Sequence, residues 1–270
     1  MKRLVFAAFF AATLVAQAAP PSSCVKVLDR AKSAVAALEK QSFAPVHAQI
    51  GRIAKGKKAA FSRDLDAGTF AAFAVTEESF NMGLELTVRE AGKELKKTEA
   101  VSTAFIAELT VEAKGKVELE LEVDEATSND PGPYIIVLLQ KQEGAPSTAD
   151  IVFEKLGDRA KAVEDGGQEV VFGEMDTIAD KAWTVTHKLE AGNYAVEVVT
   201  DDASVKDLEV EFTDGSGASV AKKAKSAEPK DGNVASLKGE AKAGDAKVAV
   251  TAVFQEGCGN SFAGVLIAKK

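Results

Sequence analysis

His47 and His187 are the only imidazoles in this 270-residue chain, and Cys24 and Cys258 are the only thiols. Acid–base chemistry near neutral pH leans on histidine, yet these two have unlike neighbours. His187 alternates with Thr186 and Lys188, which reads as a strand surface. No Gly-x-Ser-x-Gly elbow, phosphate loop or zinc-helix motif accompanies them. Carboxylates are the other reactive type. Glu118, Glu120 and Glu122 are spaced by two and so share one strand face, either solvated or cation-attracting. Glu77-Glu78 and Asp201-Asp202 each follow Val-Thr at the end of a strand. Asp201, Asp202, Asp207 and Asp214 could gather toward the roughly six to eight oxygens that Ca²⁺ takes. The other reading is that Asp suits a turn. No further cofactor is expected. Cys24 and Cys258 either form a disulfide, which would close a loop through most of the chain, or leave a free thiol. Trp183, Tyr134 and Tyr194 fall at alternating strand positions and read as core anchors.

The elements that must position these residues come as one pattern written twice. Residues 57–88 and 181–212 align without a gap at an offset of 124. The shared spine is Leu65-Asp-Ala-Gly68-x-Phe70-Ala, then Val75-Thr-Glu77, against Leu189-Glu-Ala-Gly192-x-Tyr194-Ala, then Val199-Thr-Asp201. Asp-Arg-Ala-Lys occurs at 29–32 and 158–161, and Ile136–Lys141 resembles Gly264–Lys269. Matches in one order argue for an internal duplication. Each copy opens with a helical period: Val25, Leu28, Val35 and Leu38, then Val152, Leu156, Ala160 and Val163 before Gly166-Gly167. Period-two strands follow, as at 84–88, 117–123, 183–185 and 208–212. Asp214-Gly215, residues 230–233 and residues 130–133 mark turns. About eight short strands per copy predict a β-sandwich.

The stretch Gly173–Val198, with its Leu189-Glu-Ala-Gly-Asn-Tyr194, resembles the bacterial pre-peptidase C-terminal domain, and Asp207-Leu-Glu-Val and Asp214-Gly215 continue the likeness. The resemblance implies a tandem of jelly-roll-like sandwiches on a secreted protein, where such domains bind or position things. Some members bind calcium, which adds to the aspartate reading above. No protease domain is attached, and a helix precedes each copy.

The expected class is therefore mostly β: two duplicated jelly-roll-like sandwiches, each preceded by a short amphipathic helix. Lys2 and Arg3 followed by the apolar run Leu4–Val15 and by Ala16-Gln17-Ala18 read as a signal peptide over 1–18. The run is too short to span a bilayer. Repeat 1 then covers 19–141, a linker 142–150 and repeat 2 151–270. Cleavage would remove two cations and no acid, taking the charge from −8 to −10. An acidic chain repels phosphate, so no nucleic-acid partner is expected. The location expected is periplasmic or extracellular, without stable membrane insertion. The function expected is non-enzymatic binding of a protein or a surface polysaccharide, with an oligomer allowed. The alternatives are a structural subunit of an envelope or appendage assembly and, less favoured, a carboxylate-dependent hydrolase.

Overall fold

The computed structural model describes residues 23–77, 81–98, 106–113, 115–126, 130–142, 149–179, 182–201, 203–224 and 233–270. The leader expected at 1–18 and residues 143–148 of the expected linker lie outside them. The chain runs α1 (Cys24–Glu39), β1 (Phe43–Ile53), β2 (Lys58–Asp64), β3 (Gly68–Thr76), β4 (Asn81–Glu90), β5 (Lys93–Lys97), β6 (Ile106–Ala113), β7 (Lys116–Ala126) and β8 (Gly132–Lys141). It continues α2 (Ala149–Asp165), β9 (Glu169–Ile178), β10 (Trp183–Leu189), β11 (Gly192–Thr200), β12 (Val205–Thr213), β13 (Ser219–Lys223), β14 (Val234–Ala241), β15 (Gly244–Phe254) and β16 (Ser261–Lys269).

Two four-stranded sheets, β2-β7-β4-β5 and β10-β15-β12-β13, face one eight-stranded sheet ordered β14-β11-β16-β9-β1-β8-β3-β6. The order within each half, 1-8-3-6 against 2-7-4-5 counted from that half's first strand, is that of a jelly roll, and every pairing is antiparallel. The mostly-β, jelly-roll-like expectation therefore holds. The halves are not beads on a linker: β1 pairs β9, so one sheet runs through both. α2 already begins at Ala149, inside the stretch expected as linker.

The layer in which a strand sits explains its sequence. In β7, Val117, Leu119, Leu121 and Val123 are buried in the first sandwich core, while Glu118, Glu120 and Glu122 face outward. In β8 both faces are covered. Ile135, Val137 and Leu139 meet the helices, whereas Tyr134, Ile136 and Leu138 enter the first sandwich. Burial on both faces demands an apolar run rather than alternation. Each fully buried Leu or Ile contributes about 1.5–3 kcal/mol of transfer free energy. The second sandwich core is built from Val196, Leu208, Phe212, Val248, Val265 and their neighbours.

Both helices cover the opposite face of the eight-stranded sheet. Ser23 caps α1 by accepting from the Val25 N–H, and Glu164 of α2 accepts from the Cys24 N–H at 2.8 Å. Each helix is also tied to the end of the third strand of its half. Lys26 Nζ donates to Glu77 Oε1 at 2.6 Å, and Lys155 Nζ donates to the Thr200 carbonyl at 2.9 Å. Both lysines stand three residues before Asp-Arg-Ala-Lys.

Sheet register corrects one alignment. Gln140 pairs Phe70 and Lys269 pairs Tyr194, so Gln140 corresponds to Lys269 and Ile135 to Gly264. Matching Ile136 with Gly264 is off by one. An apolar run buried on both faces has no alternation to fix its phase, and so it slides in a comparison by letters.

Candidate functional site

Gln49 lies opposite Glu174 at the centre of the β1·β9 pairing. The same two residues correspond between the halves, since Gln49 pairs Ile136 and Glu174 pairs Val265. A pseudo-twofold axis therefore passes beside this pair. Ala48, Ile50 and Met175 point to the helices. His47, Gln49 and Gly51, with Phe172, Glu174 and Asp176, point the other way, between the sandwiches. β2 and β10, each the first strand of its small sheet, contribute Phe61 and Arg63 from one side and His187 from the other.

The two sides of the axis differ. On one, Arg63 Nη2 lies 2.6 Å from His47 Nδ1, 2.6 Å from Glu174 Oε1 and 2.6 Å from Asp176 Oδ2. His47 Nδ1 and Asp176 Oδ2 are 3.5 Å apart. The Phe61 ring meets the His47 ring edge-on at 4.4 Å. A guanidinium can only donate, so His47 Nδ1 can meet it only as an acceptor. On the other side, Phe172 and His187 replace His47 and Arg63, stacked at 4.0 Å and 13°. Burial pulls the His187 pKa below its usual value. The Tyr134 hydroxyl donates to Gln49 Oε1 at 3.2 Å, and a Cβ on Gly51 would come within 2.8 Å of that hydroxyl. Tyr134 corresponds to Ala263, and Gly51 to Asp176. Where the first half spends its space on a tyrosine ring, the second leaves room for a carboxylate.

The described acids among those singled out in the sequence hold the fold. Asp201 is fully buried and accepts the N–H groups of Ala203 and Ser204 and the Ser261 hydroxyl. Asp207 is buried against Lys223 Nζ at 2.9 Å and the Leu208 N–H. Asp214 closes a turn by accepting from Ser216, Ala218 and Lys242. Asp202 and Glu78 lie outside the described residues. The grouping as calcium ligands fails for Asp207 and Asp214, one near the start of β12 and the other just past its end. Seven steps along an extended strand separate them by about 23 Å, too far to share an ion. Glu118, Glu120 and Glu122 are neutralised by Lys116, Lys58 and Arg89.

Cys24 and Cys258 are both free, so the bridge is not formed. Cys24 starts α1 inside the helix-layer core, where burial and then Glu164 push its thiol pKa up. Cys258 sits in the loop after β15, its sulfur beside the Ala203 carbonyl. Tyr134 and Tyr194 are buried and Trp183 packs against the second core, as expected of anchors.

Arg63, Glu174 and Asp176 were not legible as a site. A signal existed: Phe61-Ser-Arg63-Asp-Leu65 places an arginine in the apolar phase of its strand, and Glu174-Met-Asp176 places two acids on one face. Their convergence depends on β1 pairing β9, which no local pattern encodes.

No protein-family model and no curated protein matches the chain. Among solved structures it is similar to a xanthan lyase from Paenibacillus, at 13% identity and a TM-score of 0.27, over 80% of this chain and 23% of that one. It is similar to the major capsid protein P2 of Bacteriophage PM2, at 10% identity and 0.26, over 83% and 97%. It is also similar to a protein of an archaeal virus described by its triple jelly roll fold and turret assembly, at 10% and 0.23, over 81% and 58%. Likenesses at these scores carry no functional argument. The jelly-roll order rests on this chain's own strand pairing.

Proposed function

We propose that this chain is an exported, non-enzymatic binding protein whose two sandwich modules, products of an internal duplication, engage a protein or a cell-surface polymer. The observation that carries the reading is the fixed pairing of two like modules through one sheet. The repetition extends to irregularities: β1 bulges at Val46 and β9 at Val171, while β5 bulges at Leu95 and β13 at Val220. Because β1 and β9 are antiparallel, corresponding loop ends point in opposite directions. An open groove of about 480 Å³, lined by Gln168, Asn193, Tyr194 and Lys238, lies in the second half. One of about 380 Å³, lined by Asp64, Asp66, Lys116 and Gln140, lies in the first. Such a molecule bridges two partners rather than gripping one twice. The acids most open to a hydrolytic reading already hold turns and lysines, which supports binding over turnover.

The test is to pass isolated envelope polysaccharide and envelope protein fractions over the immobilised full chain, and to assay the same fractions for cleavage. Retention of one defined component, with two bound per chain by sedimentation, is the expected result. Cleavage of the retained polymer, or retention no greater than on a blank surface, overturns it.

A further inference from the structure

We propose that His47, Glu174 and Asp176 form a binding site for a single divalent transition-metal ion, with zinc the best match, and that Arg63 is the internal cation which the metal displaces. Their donor atoms all lie within 4.8 Å of one another. The 3.5 Å between His47 Nδ1 and Asp176 Oδ2 is close to the edge of a tetrahedron with bonds of about 2.1 Å, which is about 3.4 Å. An imidazole nitrogen beside two carboxylates favours a transition metal over calcium, which prefers an all-oxygen shell.

Arg63 marks the focus of the site and occupies it imperfectly. A single nitrogen, Nη2, faces three acceptors with only its two protons to offer. Its Nε is buried without a hydrogen-bond partner. Two carboxylates also face one guanidinium, so a negative charge remains where a divalent ion would leave none. The Arg63 side chain is 30% exposed on a strand that pairs on one side only within its sheet, so it can swing into solvent. The ligands are held more closely. His47 is 2% exposed and packed against Phe61, and the β1·β9 register fixes the backbone positions of Glu174 and Asp176, whose side chains are 16% and 22% exposed. A metal here would join His47 of the first half to the two acids of the second. The corresponding positions across the axis are Phe172, Gln49 and Gly51, so the stoichiometry is one per chain, not two.

The test is equilibrium dialysis of the chelator-stripped full chain against Zn²⁺, with Co²⁺ absorption as a report on tetrahedral nitrogen–oxygen ligation. One ion per chain is expected, lost in Asp176→Asn and in His47→Gln, and bound about tenfold or more tightly by Arg63→Ala. Circular dichroism establishes that each apo variant is folded. Uptake well below one ion by the wild-type chain overturns the proposal. So does uptake that survives in folded Asp176→Asn, or an Arg63→Ala variant with no gain in affinity. The binding-protein reading is untouched by any of these results, since its readout is retention of a polymer or protein.

Discussion

Asp214 accepts four hydrogen bonds, two of them from Ser216, and they set how its carboxyl titrates. The Ser216 hydroxyl, then the N–H groups of Lys242, Ser216 and Ala218, hold its pKa down at about 2 against desolvation, from an ordinary 3.8. A lowered acid pKa gives stability that is complete above the ordinary value and lost as pH falls through the lowered one. The melting-temperature advantage of the wild type over Asp214→Asn is therefore expected in full above about pH 4, shrinking toward pH 2. An advantage equally large at pH 2 and pH 7 would show that the carboxylate charge is not what the turn uses. His187 shifts for a different reason, since burial against Phe172 disfavours its charged form. The unfolded chain then takes the proton more readily, so stability drops as pH falls below the ordinary 6.5. Melting curves from pH 7 to 5 should show this drop in the wild type, and a shallower one in His187→Phe. The sequence placed Asp214 at a turn, but not the Lys242 N–H that completes its cage, twenty-eight residues away. It placed His187 on a surface because its neighbours are polar. In a strand those neighbours face the other way, and His187 shares the inward phase of Val185 and Leu189.

The two helices contact the sheet through matched but unequal pairs. α1 sets Val27 where α2 sets Leu156, and the sheet below offers Ile135 in one half and Gly264 in the other. A Cβ on Gly264 would fall on Leu156 Cδ1, so the larger helix residue needs the smaller strand residue. Gly264→Ala alone is expected to cost about 1–3 kcal/mol by overpacking, and Leu156→Ala alone about 2–5 kcal/mol by opening a cavity. The double variant should lose clearly less than their sum, because each change relieves the other. Urea unfolding of the four proteins reads the coupling, and strict additivity would mean that the pair does not set the helix height. Elements of this kind were the most legible part of the chain. Alternation in β7 and helical spacing in α1 and α2 each report one buried face. In strands covered on both sides, such as β8 and β16, the ends of the two copies are recognisably alike but out of phase, because nothing in an unbroken apolar run says which residue faces which layer.

At the scale of the whole molecule, the decisive contact is the one that local patterns do not report, β1 against β9. Each half has its own sandwich core, yet the helix-layer core draws on both halves. Separating residues 23–142 from 149–270 would expose two strand edges that were made to be covered. The pseudo-twofold axis also makes each edge roughly complementary to itself, so the outcome turns on what meets at the centre. A pair of first halves would set Gln49 against Gln49, which is neutral and can hydrogen-bond. Two second halves would place Glu174 against Glu174, and like charges directly opposite one another destabilise a pair of strands. Only the mixed pair brings Arg63 to Glu174 and Asp176. The first half alone is therefore expected to dimerise, the second half alone to do so more weakly, and an equimolar mixture to convert to the one-to-one complex. Light scattering after size exclusion, with native mass spectrometry of the mixture, distinguishes the three species. Halves that stay monomeric on mixing would mean that the tether, rather than the β1·β9 edge and its charge cluster, holds the eight-stranded sheet together.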